Sequence, residues 1–293
     1  MKYKVRHLTE YEYTAPVALC YNMAHLLPRD TQNQRCLNRR IKVWPKPIYQ
    51  SEGQDYYGNQ TCYFSIEEPH QKLSIDVISY FEIQTTDFIA QAEAHPMTLG
   101  ELKALLAQPN TADLRMAKEF VLNSPQVRCS KQLADYAQDC FSDDMTLIQG
   151  VKAFMHKVFT EFRFDPTSTT VATPLEQVLE QKSGVCQDFA HLSLGCLRSL
   201  GIPTRYMSGY LETLPPPGQE KLTGADASHA WFAVFIPDFG WVEFDPTNDI
   251  MPTDQHIVTA FGRDYSDVTP LQGVIFEGGD SQTLSVSVDV QRV

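Results

Sequence analysis

The sequence predicts an α+β chain: an N-terminal antiparallel β-sandwich-like domain over about residues 1–90, then a second unit over 91–293 that begins helical and ends in strands. Three observations carry this prediction. Two-residue alternation dominates the start, three- and four-residue apolar spacing takes over near residue 95, and alternating strands return after Gly201.

In the first unit, Tyr3, Val5, His7 and Thr9 alternate with Lys4, Arg6 and Leu8, and Leu73, Ile75, Val77, Ser79, Phe81 and Ile83 repeat the pattern, as half-buried strands require. Turn residues at Pro28-Arg29-Asp30, Trp44-Pro45-Lys46-Pro47 and Tyr57-Gly58-Asn59 cut out shorter strands such as Ile41–Trp44 and Thr61–Ile66. A helical linker is expected over about 96–145, where Thr98, Thr111 and Ser130 each stand at an N-cap position. Met145–Phe162 presents Leu147, Ile148, Val151, Phe154, Met155, Val158 and Phe159 on one wide face, so it is predicted to pack on the second core. A short helix opens on Pro174, and Ser183-Gly184 separates it from a helical run over Gln187–Leu200. Strands follow at Ile202–Leu211, Ala230–Ile236 and Trp241–Asp245, the last two joined by a turn at Pro237-Asp238-Phe239-Gly240. The core thus spans about 145–250 with C-terminal strands after it, and the proline-rich stretch 212–228 reads as a mobile surface loop.

Composition narrows the function. The 293 residues include 36 acidic and 24 basic side chains, a net charge of −12, which disfavours nucleic acid as a partner. No apolar run is long enough for a transmembrane helix, and the first residues are polar, so no membrane partner and a cytoplasmic location are expected. The seven cysteines are odd in number and lack short paired spacing, which favours reduced thiols.

Candidate chemistry concentrates in the second unit. Cys186 opens a helix, whose free N–H groups and positive dipole end favour a thiolate, the form that acts as a nucleophile. His229 stands at a strand start beside a loop, suited to take the thiol proton and return it to a leaving amine. Asp245 closes the next strand and can accept the other imidazole N–H, fixing the tautomer. Register decides that contact: if Ile236 faces Gly240, Asp245 lies diagonal to His229 on one face, and a slip of one residue separates them. Taken singly, each of the three is more often a structural residue than a catalytic one.

The ordered blocks Ser183-Gly184-Val185-Cys186-Gln187-Asp188-Phe189-Ala190, His229-Ala230-Trp231 and Trp241-Val242-Glu243-Phe244-Asp245-Pro246-Thr247 resemble the signature of the transglutaminase-like cysteine enzymes. Tyr3–His7, Leu27–Asp30, Asp55–Asn59, Gly262–Val268 and Ser285–Val290 are similar to the bacterial members in which an N-terminal β domain precedes that core. The resemblance implies a papain-like core, with the nucleophile at a helix N-terminus on an antiparallel sheet, and a catalytic triad of Cys186, His229 and Asp245.

The expected activity is a cysteine-dependent hydrolase of peptide or protein amide bonds, a protease or glutamine deamidase, working through a thioester. Acyl transfer to a primary amine is the alternative, and a non-catalytic binding module on the same fold is a further rival. No cofactor and no calcium requirement are expected, and oligomeric state is left open. A metal site of Cys186, His191, Cys196 and His229 is disfavoured because steps of five residues rotate helical ligands off a shared face. Gln187 and Asp188 are read as polar early-helix residues, and Trp231, Phe235, Trp241 and Phe244 as packing, with Trp231 placed to wall the cleft.

Overall fold

In the computed structural model, the described residues are 1–84, 87–213 and 228–293. Most of the expected 212–228 loop lies outside them. Alternation in the first unit produces five strands, β1 (Lys2–Ala24), β2 (Gln34–Trp44), β3 (Tyr49–Gln54), β4 (Gln60–Ile66) and β5 (His70–Ile83), ordered β2-β5-β1-β4-β3. The sheet is antiparallel throughout, and β1 is its spine. Residues 2–12 of β1 pair with β5 and residues 20–24 with β4, with an irregularity between Glu12 and Val17 where β1 changes partners. That change lets one sheet enclose a core of Val17, Cys20, Leu27, Phe64, Ile66, Leu73 and Ile75.

The second unit follows the sequence reading closely. Short helices α1 (Phe88–Glu93), α2 (Leu99–Ala107), α3 (Ala112–Ala117) and α4 (Lys131–Gln138) form the linker, and Thr98, Thr111 and Ser130 cap α2, α3 and α4 with their hydroxyls. Helix α5 (Leu147–Glu161) buries Leu147, Ile148, Val151, Phe154, Met155 and Val158 of the face its spacing predicts, while Phe159 of that face stays exposed. After β6 (Arg163–Phe164), α6 (Leu175–Gln181) and β7 (Ser183–Gly184) comes α7 (Cys186–Ser199), which is buried on almost every side. It packs on a four-stranded antiparallel sheet ordered β10-β9-β8-β11, made of β8 (Thr204–Leu211), β9 (Ser228–Ile236), β10 (Gly240–Phe244) and β11 (His256–Gly262).

Helix α8 (Tyr265–Val268) then leads to β12 (Leu271–Glu277) and β13 (Gln282–Arg292). Here the structure departs from the sequence division, which kept the C-terminal strands with the second unit. Both strands pair with β1 instead, β12 with its second half and β13 with its first. Val288 and Val290 are driven there by burial against Tyr3, Val5, Phe81 and Ile83, beside Tyr210 and Ile257 of the second sheet. No helix among the described residues is long and apolar enough to cross a membrane.

Candidate active site

The turn before α7 is built to present Cys186. A two-residue parallel ladder joins Arg163–Phe164 to Ser183–Gly184, and the Asp165 N–H donates to the Gly184 carbonyl at 2.8 Å. Val185 is extended, and α7 starts at Cys186. Asp188 folds back over this turn, its Oδ2 accepting from the Val185 N–H at 2.8 Å and from Thr169 Oγ1 at 2.6 Å. A Cβ on Gly184 would sit 2.7 Å from that same oxygen, so glycine is required for the close approach. The polar role expected for Asp188 thus becomes a specific one, holding the residue before the nucleophile.

Strand β9 brings in the histidine. Gly240 faces Ile236 and Phe244 faces Phe232, the register that places Asp245 diagonal to His229. His229 Nε2 donates to Asp245 Oδ2 at 2.8 Å. The Cys186 side chain is near enough to act on the same imidazole and raise it, so the three residues named from sequence come to one end of α7 and the sheet. Trp231 stacks on the imidazole at 5.8 Å with 22° between planes, and is itself fully buried, with its indole N–H on Glu243 at 2.6 Å.

Asp245 has no solvent exposure and must find its donors in the protein. Thr247 N–H donates to Oδ1 at 2.9 Å, while Oδ2 accepts from His229, from Asn248 Nδ2 at 2.7 Å and from His256 Nε2 at 2.9 Å. Burial pushes this carboxyl upward, but hydrogen bonds and charge from His229 and His256 outweigh it and hold the group well below the usual carboxylate range. Burial likewise works to lower His229, yet the hydrogen bond and charge of Asp245, with Cys186 acting in the same direction, push it up to about 10. The arrangement therefore favours an imidazolium beside the Asp245 carboxylate.

His256 and Asn248 escaped the sequence reading. Asn248 lies three residues beyond Asp245 and is reached by a local turn, but His256 comes from β11, at the opposite edge of the sheet from β10. Only the strand order puts it there, and no local spacing encodes that order. The metal-ligand set weighed from sequence is not assembled: His191 accepts from the Tyr265 N–H at 3.1 Å and Cys196 is fully buried in the core. Among the described residues, the ligand-type cluster is His229, Asp245 and His256, within 4.8 Å of one another, with both imidazoles bonded through Nε2 to the one carboxylate. All seven cysteines are free thiols.

Comparisons with known proteins agree on family and fold. The profile of the bacterial transglutaminase-like N-terminal region matches residues 3–82, and that of the transglutaminase-like superfamily matches residues 134–246. An uncharacterised protein of Mycobacterium tuberculosis is 36% identical over 298 residues, covering 99% of this chain and 92% of its own. A protein-glutamine gamma-glutamyltransferase of Pseudomonas aeruginosa is 28% identical over 125 residues, 42% of this chain and 19% of that protein. Among solved structures, a candidate cysteine protease of Cytophaga hutchinsonii superposes with a TM-score of 0.75 at 22% identity, covering 100% of this chain and 91% of the other.

Proposed function

The chain belongs to the transglutaminase-like superfamily, and from that premise we propose that it is a cysteine-dependent hydrolase of amide bonds with Cys186 as nucleophile, His229 as acid and base, and Asp245 as the group that orients it. The observation that carries this reading is the His229 imidazole hydrogen-bonded to the buried Asp245 carboxylate and acted on by the Cys186 side chain at a helix start.

In the proposed reaction the Cys186 thiolate attacks a peptide or glutamine carboxamide carbonyl, forming a C–S bond and an oxyanion. The backbone N–H of Cys186, at the head of α7, donates to that oxyanion. Collapse breaks the C–N bond, His229 gives its proton to the departing amine or ammonia, and a thioester remains. Water then loses a proton to His229, adds to the thioester, and releases the acid and the thiol. A primary amine in place of water yields a new amide, and the Pseudomonas relative's name favours keeping that second reading.

The test is mass spectrometry of a peptide library incubated with wild type and with Cys186→Ala, each with and without a primary amine. Hydrolysis appears as cleaved peptides or a gain of about one dalton at glutamine. Amine incorporation would select the transferase reading. Identical spectra for wild type and variant, with no preferential alkylation of Cys186 over the other thiols, would overturn both.

A further inference from the structure

A cavity of about 490 Å³ lies on the face of the second sheet turned away from α7, between that sheet, the 29–34 segment and α1. Its volume is in the range that takes a small organic ligand rather than an inorganic ion. Met207, Trp241, Met251, Val258 and Phe88 supply apolar walls.

Two arginines, Arg29 and Arg205, line it, and neither has an ion-pair partner among the described residues. Arg29 is spent in part on the Tyr57 carbonyl and the Asn59 side chain. The Arg205 guanidinium instead lies over Phe261 at 3.8 Å and Trp241 at 4.4 Å, and its buried Nε has no partner among the described residues. Planar stacking of this kind leaves the guanidinium edge free for a carboxylate. Of the acidic residues that share the cavity, Asp30 accepts from the Cys36 N–H, while Glu243 accepts from Trp231 and its charge also acts on Arg205 without forming an ion pair with it.

His256 also lines the cavity. It is 5% exposed, its Nε2 donates to Asp245, and its Nδ1 is buried without a partner among the described residues. With the proton on Nε2, Nδ1 is a hydrogen-bond acceptor. The site therefore offers a cation, an acceptor and an apolar wall together.

We propose that this cavity binds the C-terminal residue of a peptide or another N-acyl amino acid: the carboxylate pairs with Arg205, the amide N–H donates to His256 Nδ1, and the side chain lies against Trp241 and Met251. Peptides are the substrate class of the proposed reaction, and the choice of ligand class rests on that reading. Binding itself does not.

Titration calorimetry on the full chain carrying Cys186→Ala, which removes turnover, tests the proposal with acetyl-Gly-Phe, its C-terminal amide, and phenylpropionate. The acid is expected to bind at least about tenfold more tightly than the amide, one charge-assisted hydrogen bond being worth that much, and more tightly than phenylpropionate, which lacks the N–H. Adding Arg205→Gln should weaken the acid by about tenfold or more and Arg205→Lys by less. Equal affinity for acid and amide, or none for either, overturns the site, and that comparison stands even if the arginine variants fail to fold. Phenylpropionate matching acetyl-Gly-Phe overturns the assignment to N-acyl amino acids, and an Arg205→Gln protein that melts like its parent and binds equally well overturns the placement. Since the readout is heat and not catalysis, its failure is distinct from failure of the proposed triad.

Discussion

Asp245 receives four hydrogen bonds while wholly buried, so its stabilising effect depends on the charges of its neighbours. His229, raised to about 10, contributes stability that is complete below its unfolded value near 6.5 and is lost as pH rises toward 10. Asp245, lowered from 3.8, contributes stability present above that value and lost in stronger acid. Asp245→Asn should therefore cost most between about pH 4 and 6.5, on the order of 3–5 kcal/mol for one member of a buried pair. The melting-temperature gap to wild type should narrow steadily from pH 6.5 to 10; a gap constant with pH would refute the ion pair. His256→Ala removes one donor to the same buried carboxylate and should cost about 1.5–3 kcal/mol, with His256→Gln, whose amide can donate, restoring part of it. Chemical denaturation of the two variants checks this, and equal losses would mean that His256 acts through packing alone. Cys186, His229 and Asp245 could be named from sequence only because the three ordered blocks that hold them resemble a family signature; taken singly, each position at the start or end of an element reads as structural. His256 was not legible, since its role follows from strand order.

Elements convert local pattern into position, and the β9–β10 hairpin does so most sharply. The turn at Pro237-Asp238-Phe239-Gly240, with Asp238 and Gly240 at positive φ, sets Ile236 opposite Gly240, and every later contact of Asp245 inherits that register. The hairpin could be read in advance from a two-residue period and a short turn, while its register stayed open between this pairing and a slip of one residue. The start of α7 shows what could not. Gly184 and Asp188 are visible in sequence, but their contact depends on a tight approach that only coordinates reveal. Gly184→Ala should displace the Asp188 carboxylate from Val185 and Thr169, costing about 1–2 kcal/mol as loss of a helix cap does. It should also slow alkylation of Cys186 by shifting the turn that presents it. An alanine variant with wild-type alkylation rate and stability would show that Asp188 moves aside without consequence.

Across the whole molecule, the first unit is a brace for the second. Two side-chain amides of the N-terminal sheet dock on the backbone of β11. Gln34 accepts from the Val258 N–H at 2.9 Å and donates to the Val258 carbonyl at 2.8 Å, and Asn59 does the same for Phe261 at 2.9 and 2.7 Å. They imitate a neighbouring strand, so the free edge of the second sheet is capped where unpaired backbone would otherwise invite association. The motifs around Arg29 and Asn59 thus gain a physical role that composition never disclosed, just as the return of β12 and β13 to β1 was hidden, because strand pairing across such separations leaves no local trace. Asn59→Ala would leave the Phe261 N–H and carbonyl buried without their partner, at a cost of about 1–3 kcal/mol. Gln34→Ala should cost a similar amount. Because both amides hold one strand, and β11 begins with His256, the double variant should lose more activity than stability alone explains, as His256 drifts from Asp245. Hydrogen exchange locates the effect: the Val258 and Phe261 amides should exchange faster in the double variant while amides of α5 keep their protection. Uniform acceleration through α5 would mean instead that the brace supports global folding and has no particular hold on the site.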